Sequence, residues 1–219
     1  MSEPGIRQRI FVVAGTDTGV GKTVLSAALV DALGAAYWKP VQAGLDGETD
    51  AQTVARLAGL DASRVVSTIH DLAMPASPHI AAAHEGVDIR QRRLGLPEVK
   101  APLVIETAGG VMVPLSSRLL QIDLMAYWQR PVVLVARTSL GTINHTLLSL
   151  EALRRRRVPV LGVAFVGEEE AEVEASISIL GGVRRLGRLP RLDPLTGDTL
   201  KRAFAEGFDL RDFEGHATE

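Results

Sequence analysis

Four side chains in the first half of this sequence, Lys22, Lys39, Asp50 and Glu106, have the types and settings that phosphoryl transfer requires. Lys22 and Thr23 close the run Gly15-Thr16-Asp17-Thr18-Gly19-Val20-Gly21-Lys22-Thr23. Glycines let successive backbone N–H groups curl around a phosphate with no Cβ in the way, and a following helix aims its positive end at the same anion. A lysine placed there reaches the outer phosphates, and the hydroxyl beside it can ligate a magnesium ion. The loop is one residue longer between its glycines than the commonest form, G-x-x-x-x-G-K-S/T. Magnesium takes oxygen ligands and keeps several waters, so Thr23, one or two carboxylates and the phosphates would suffice; Asp50 and Glu106 are the candidates. Lys39 would add a second cation where charge develops during transfer. Each has a plainer reading: Asp50 as a helix cap, Glu106 as half of a salt bridge, Lys39 as a strand-end lysine in water.

The elements that must position these groups follow from hydrophobic pattern. Ile10 to Ala14 is an apolar strand before the loop, and Val24 to Val30 continues as a helix, the context that a phosphate-binding loop needs. Ala36 to Val41 reads as a second strand ended by Pro40 and the turn Gln42-Ala43-Gly44. Asp50 to Leu60 has helical spacing, with Thr49 or Asp50 as its cap. Pro75, Pro78 and Gly86 surround the run Ile80 to Ala83, a surface loop plus a short helix. Pro102 to Glu106 is a third strand, apolar until it ends in the carboxylate. Helices are predicted over 122–128, 142–157, 168–180 and 196–204, and strands over 131–136, 160–166 and, at an edge, 183–189. Strands alternating with helices at this spacing mean an α/β fold: a parallel, doubly wound sheet of about six to seven strands with helices on both faces, of P-loop NTPase type. The spacing leaves strand order open. In such sheets ligands bind beyond the carboxyl ends of the strands, so the loop, Lys39 and Glu106 are expected to converge on one edge.

Composition sets the frame. With 219 residues, 46% hydrophobic and 23% charged, the chain suits one folded domain spanning 1–219, without repeats or linkers. A formal charge of −2 offers no general attraction to nucleic acid or an anionic membrane. The absence of cysteine excludes disulfides and thiolate metal sites. The first apolar run is too short for a signal-peptide core and no stretch approaches membrane length, so a cytoplasmic location is expected.

Set in order, GTDTGVGKT, WKPVQAG at 38–44, Thr49-Asp50, Ser77-Pro78-His79, IETAGGVMVPL at 105–115, LGTINHTLL at 140–148 and LGRLP at 186–190 resemble the dethiobiotin synthetase family over residues 10–192. The resemblance implies a carbon–nitrogen ligase of biotin biosynthesis. In that family, 7,8-diaminopelargonate captures carbon dioxide as a carbamate, ATP phosphorylates the carbamate, and the second amine closes a cyclic urea with release of ADP and phosphate. It implies magnesium as cofactor, ATP as co-substrate and a homodimer with shared sites. Carried across by motif, Lys39 and Lys22 would be catalytic, and Thr23, Asp50 and Glu106 would surround the metal. ATP would be held by Thr18, Gly19, Val20, Gly21, Lys22, Thr23, Val24, Asp50, Glu106, Gly109, Val166, Gly167, Pro190 and Leu192. The organic substrate would meet Thr16, Lys39, Ala43, Pro78, Gly110, Val111, Gly141 and Asn144, the last two from the neighbouring subunit.

The chain also departs from the family pattern. Ala43 replaces a usual serine or threonine, and Thr107 a usual glycine, which is expected to restrict nucleotide approach. Phe165-Val166-Gly167 stands where an adenine-reading asparagine is usual. The stretch between Asp88 and Pro102 is short, which would alter a covering helix. Arg154 to Arg157 reads as a solvated helix end, Glu168 to Glu170 as a helix start, and His145 as a packed or hydrogen-bonded helix residue. A partitioning or septum-placement ATPase would carry a lysine early in the loop, where Asp17 stands. Amidating ligases of cobalamin synthesis would add a glutaminase portion with a catalytic cysteine, which this chain lacks.

Overall fold

The computed structural model describes residues 9–213. Its strands in chain order are β1 Ile10–Gly15, β2 Ala36–Trp38, β3 Val41–Ala43, β4 Val65–Val66, β5 His70–Leu72, β6 Leu103–Gly110, β7 Pro114–Ser116, β8 Leu119–Leu120, β9 Val132–Arg137, β10 Val160–Val166 and β11 Arg185–Leu189. The helices are α1 Lys22–Leu33, α2 Asp50–Ala58, α3 Pro78–Glu85, α4 Gln121–Trp128, α5 Thr142–Arg155, α6 Ala171–Gly181 and α7 Gly197–Gly207. Seven strands form the main sheet in the order β11-β10-β9-β1-β6-β2-β4, and every pair in it is parallel. β3 with β5, and β7 with β8, make two small accessory sheets.

The near-continuous apolar strands are explained by burial on both faces. Along β1, Phe11 and Val13 enter a core with Leu25 and Leu29 of α1, Leu57 of α2 and Phe204 of α7. Ile10, Val12 and Ala14 enter the opposite core with Ala82 of α3, Met125 and Trp128 of α4, Leu150 of α5 and Ile177 of α6. The chain builds one half of the sheet on the β6 side of β1 and then crosses to build β9, β10 and β11 on the other. The loop after β1 therefore lies where the winding reverses, the place at which open parallel sheets bind ligands.

Several sequence-based boundaries shift. The second strand breaks in two at Lys39-Pro40, because proline has no N–H for the ladder; β2 stays in the main sheet while β3 pairs with β5. Glu106 is interior to β6 rather than at its end, since the strand runs on to Gly110. The helix expected from Glu168 begins at Ala171, and the segment 88–102 holds only a single 3-10 turn over Gln91–Arg93. The seventh strand, β4, is two residues long and lacked a periodic signal.

Candidate active site

The phosphate loop joins β1 to α1. Gly19 and Gly21 have φ of 71° and 95°, the left-handed region that a side chain resists. Gly21 caps α1 without a side-chain hydrogen bond, leaving the N–H groups of the first turn directed at the loop. A Cβ on Gly21 would lie 2.8 Å from Val166 Cγ1, so Val166 packs against the helix start. Lys22 folds over the loop and donates to the Asp17 carbonyl at 3.0 Å.

Side-chain parity brings the remaining groups together. In β2 and β6, Tyr37 is opposite Val104 and Trp38 opposite Ile105. Successive residues alternate faces, so Tyr37, Lys39 and Glu106 all turn toward the face covered by α1. Thr23 comes from the first turn of α1 and Asp50 from the first turn of α2, where Thr49 forms a capping box with Gln52. Asp50 is thus released from the cap role. The Thr23 hydroxyl lies 2.7 Å from Asp50 Oδ1 and 2.9 Å from Glu106 Oε1, with one proton to give. Lys39 Nζ donates to Glu106 Oε1 at 3.1 Å and pairs with Asp50 Oδ2. Tyr37 donates to Glu106 Oε2 at 2.9 Å.

Glu106 is wholly buried, a placement that a carboxylate tolerates because all of these donors meet it. Burial would depress the Lys39 ammonium, but the Glu106 and Asp50 carboxylates outweigh it and hold its pKa above the usual value. Burial would raise Asp50, yet Lys39 holds it below the usual carboxylate range. Lys22 goes the other way: burial lowers it, Glu106 opposes and the Lys39 charge adds to the depression. The Tyr37 phenol is pushed well above its ordinary value by burial and by the Glu106 and Asp50 charges, so it is a donor.

Lys22, Thr23, Lys39, Asp50 and Glu106 open onto a cavity of about 720 Å³, also lined by Thr18, Gly19, Val24, Gln42, Ala43, Pro78 and Gly109. A second cavity of about 480 Å³ adjoins it, sharing Thr18 and Val113, and takes Thr16, Gly110 and Val111. Val20 is core. Val166, Gly167, Pro190, Leu192, Gly141 and Asn144 line neither cavity. Gly141 and Asn144 lie exposed near the start of α5. Gly167 has φ 136° and a Cβ there would collide with the Thr138 hydroxyl. Gly167→Ala is therefore expected to cost about 3 kcal/mol and lower the melting temperature by about 10 °C in calorimetry.

Two readings of individual residues change, and a third gains detail. Thr107 is fully buried and donates to the Val13 carbonyl at 3.3 Å, so its side chain stands inside the sheet and not against the cavity. His145 is exposed and lines the second cavity instead of packing. Arg154 and Arg155 are exposed in the last turn of α5, a solvated helix end as expected, and Arg154 also donates to the carbonyls of Gly181 and Gly182 at the end of α6. The sequence reading also passed over Tyr37, Gln42 and Arg137. Arg137 ends β9 at the same sheet edge and reaches Asp17 at 3.3 Å, a placement that the rule used for Lys39 would have flagged. Asp17 also accepts from the Thr18 N–H at 2.7 Å.

The fold and the loop define a P-loop nucleotide-binding protein of the α/β class. The family described as AAA domain matches residues 9–199. Two curated proteins named ATP-dependent dethiobiotin synthetase BioD are similar over 93% of this chain and 96% of their own length: 60% identical in Nitrobacter hamburgensis and 59% in Agrobacterium fabrum. The chain belongs to the dethiobiotin synthetase family. Solved structures share the fold at low identity. A ParA family ATPase from Chlorobium tepidum is 13% identical with a TM-score of 0.55, covering 91% of this chain and 93% of that one. The septum site-determining protein MinD from Pyrococcus horikoshii is 13% identical with a TM-score of 0.54, covering 96% and 90%.

Proposed function

We propose that this protein makes dethiobiotin from 7,8-diaminopelargonate, carbon dioxide and ATP, releasing ADP and phosphate, and that residues 1–219 act as one domain. The observation that carries the reading is the meeting of two buried ammonium groups, Lys22 and Lys39, with the phosphate loop at one cavity. Family membership supplies the substrate.

One substrate amine adds to carbon dioxide and loses a proton, giving a carbamate. A carbamate oxygen attacks the γ-phosphorus and ADP leaves; the second amine then attacks the carbamate carbon, loses its proton and expels phosphate. Such transfer needs positioning and positive charge more than covalent help from the protein. The free N–H groups of α1 and Lys22 would hold the phosphates, and Lys39 would stand between carbamate and γ-phosphoryl oxygens. The donor set of a hydroxyl and two carboxylates, all oxygen and gathered within hydrogen-bond distance, fits magnesium. Thr23, Asp50 and Glu106 would hold it, and when bound it would neutralise phosphate charge and compete with Lys39 for the same oxygens, freeing that ammonium for an anion. Among the described residues no cluster of three His, Cys, Asp or Glu exists, so phosphates and water would complete the shell.

Thr16, Gly110 and Val111 in the adjoining cavity would receive the rest of the diamine, with Ala43 and Pro78 in the first. Gly141 and Asn144 are exposed and line neither cavity, and Leu140 before them is fully exposed. This supports a homodimer in which α5 of a second copy presents its N–H groups to the substrate carboxylate. Val166, Gly167, Pro190 and Leu192 are assigned to the adenine side. The location is read as cytoplasmic, with no nucleic-acid or membrane partner; no helix among the described residues is long and apolar enough to cross a membrane.

The test is coupled product release. ADP is expected to appear only when diamine and bicarbonate are both present, with dethiobiotin in equal amount. Equal ADP release without the diamine would overturn the reading in favour of a free-standing ATPase.

A further inference from the structure

Tyr37 occupies a strand position whose neighbours are apolar. It lies in the core with Val13, Leu29 and Val104, where phenylalanine would fill the same space. A buried phenol needs a partner for its hydroxyl, and this one finds Glu106 Oε2 at 2.9 Å. The two oxygens of Glu106 are thereby divided. Oε1 faces the site, meeting Thr23 and Lys39, whereas Oε2 is held from the core side by Tyr37.

The final torsion of a glutamate is broad and nearly two-fold, so the donors around Oε1 do not by themselves fix the carboxylate plane. Those donors are also shared: Thr23 has one proton for two carboxylates, and Lys39 has two carboxylate partners of its own. Among the described residues, Tyr37 is the one donor to Glu106 that comes from outside the cavity, since it does not line it.

We propose that Tyr37 is a positioning residue that locks the Glu106 carboxylate with Oε1 toward the phosphate loop and so sets the affinity of the site for its divalent cation. The inference rests on the reading of Glu106 as a magnesium group. Without the phenol, Oε2 is a buried acceptor lacking its donor. The carboxylate then turns to offer both oxygens to Lys39, and a cation must displace a tighter ion pair.

The experiment measures Mn²⁺ binding to the protein–ADP complex by electron paramagnetic resonance, together with the Mg²⁺ dependence of turnover. Tyr37→Phe is expected to weaken Mn²⁺ about tenfold and raise the Mg²⁺ concentration for half-maximal turnover by a similar factor, with kcat recovering at saturating Mg²⁺. ADP affinity without metal stays unchanged. A role in packing alone would lower the melting temperature and the active fraction without moving either metal constant, and would overturn the proposal. Tyr37→Leu, which also lacks the hydroxyl, is measured alongside and must weaken Mn²⁺ as well. Glu106→Gln separates the two failures. If it weakens Mn²⁺ while Tyr37→Phe does not, the proposal alone falls. If Glu106→Gln leaves Mn²⁺ affinity intact, the metal reading fails and takes the proposal with it. In the Glu106→Gln background, Tyr37→Phe is expected to have no further effect on Mn²⁺.

Discussion

Lys39→Met is expected to lower kcat by about 10²- to 10³-fold, the usual cost of removing a preorganised charge from a transferring group. It should also unfold more easily. Glu106 is wholly buried and Asp50 partly so, and their shared ammonium would be gone. Breaking a buried ion pair from one side costs about 3 kcal/mol or more, here a fall in melting temperature of about 10 °C. The pH dependence carries a sign. Asp50 is held below its ordinary value of 3.8, so its share of stability is present above that pH and lost as pH falls through the lower folded value. Lys39 is raised above 10.5, so its share is present below that pH and lost as pH rises through the folded value. The deficit of Lys39→Met should accordingly be steady across neutral pH and shrink in acid as Asp50 protonates. Added Mg²⁺ and ADP should restore part of the lost stability, because a divalent cation can take the place of the ammonium. Melting curves at several pH values check all three statements. A Lys39→Met protein with near-normal turnover would remove Lys39 from the chemistry.

Glu106→Gln is expected to be as damaging to turnover, about 10²- to 10³-fold, with a different cause. Glutamine keeps the shape and can still accept from Tyr37 or Lys39, so the fold should survive. What is lost is the negative charge between Thr23 and Lys39. ADP binding in the absence of metal should be unchanged in calorimetry, since the phosphate loop is untouched, while metal-dependent tightening is lost. Residues sharing one network do not add. The double variant Lys39→Met, Glu106→Gln should therefore be more stable than the sum of the single losses predicts, because the second change removes the charge that the first left unpaired. Strict additivity would mean that Asp50 alone carries the pairing with Lys39.

The likeness to ParA and MinD structures and the family assignment address different things. At 13% identity and TM-scores of 0.55 and 0.54 those structures speak to the fold alone. Asp17, the loop residue standing where a lysine is expected of a partitioning ATPase, is tied to Arg137 and to the Thr18 N–H, so it braces the loop from the β9 side.

Much of this arrangement was legible in the chain. The glycine loop between an apolar strand and a helix announced phosphate binding, and apolar runs alternating with helical periods announced a parallel sheet. Local chemistry decides both: glycine permits the left-handed turns at 19 and 21, and strands buried on two faces must be apolar throughout. The carboxyl-end rule then placed Lys39 and Glu106 near the loop without any distance. Three things escaped. The two-residue β4 is too short to show a period, and it exists because β2 offers it an edge. The split at Pro40 follows from pairing β3 with β5, a partner remote in sequence. Thr107 looked like an obstacle to nucleotide until the extension of β6 turned it into the sheet.

The sequence by itself determined the kind of ligand, the class of fold and the family, because each depends on residue types in local order. The tertiary structure alone decided which charges share space. Register between β2 and β6 set Lys39 and Tyr37 on the face of Glu106, one at each of its oxygens, and the capping box at Thr49 freed Asp50 to join them. Those relations depend on which strands are neighbours and on side-chain parity across them, and neither is written in any contiguous stretch of the chain.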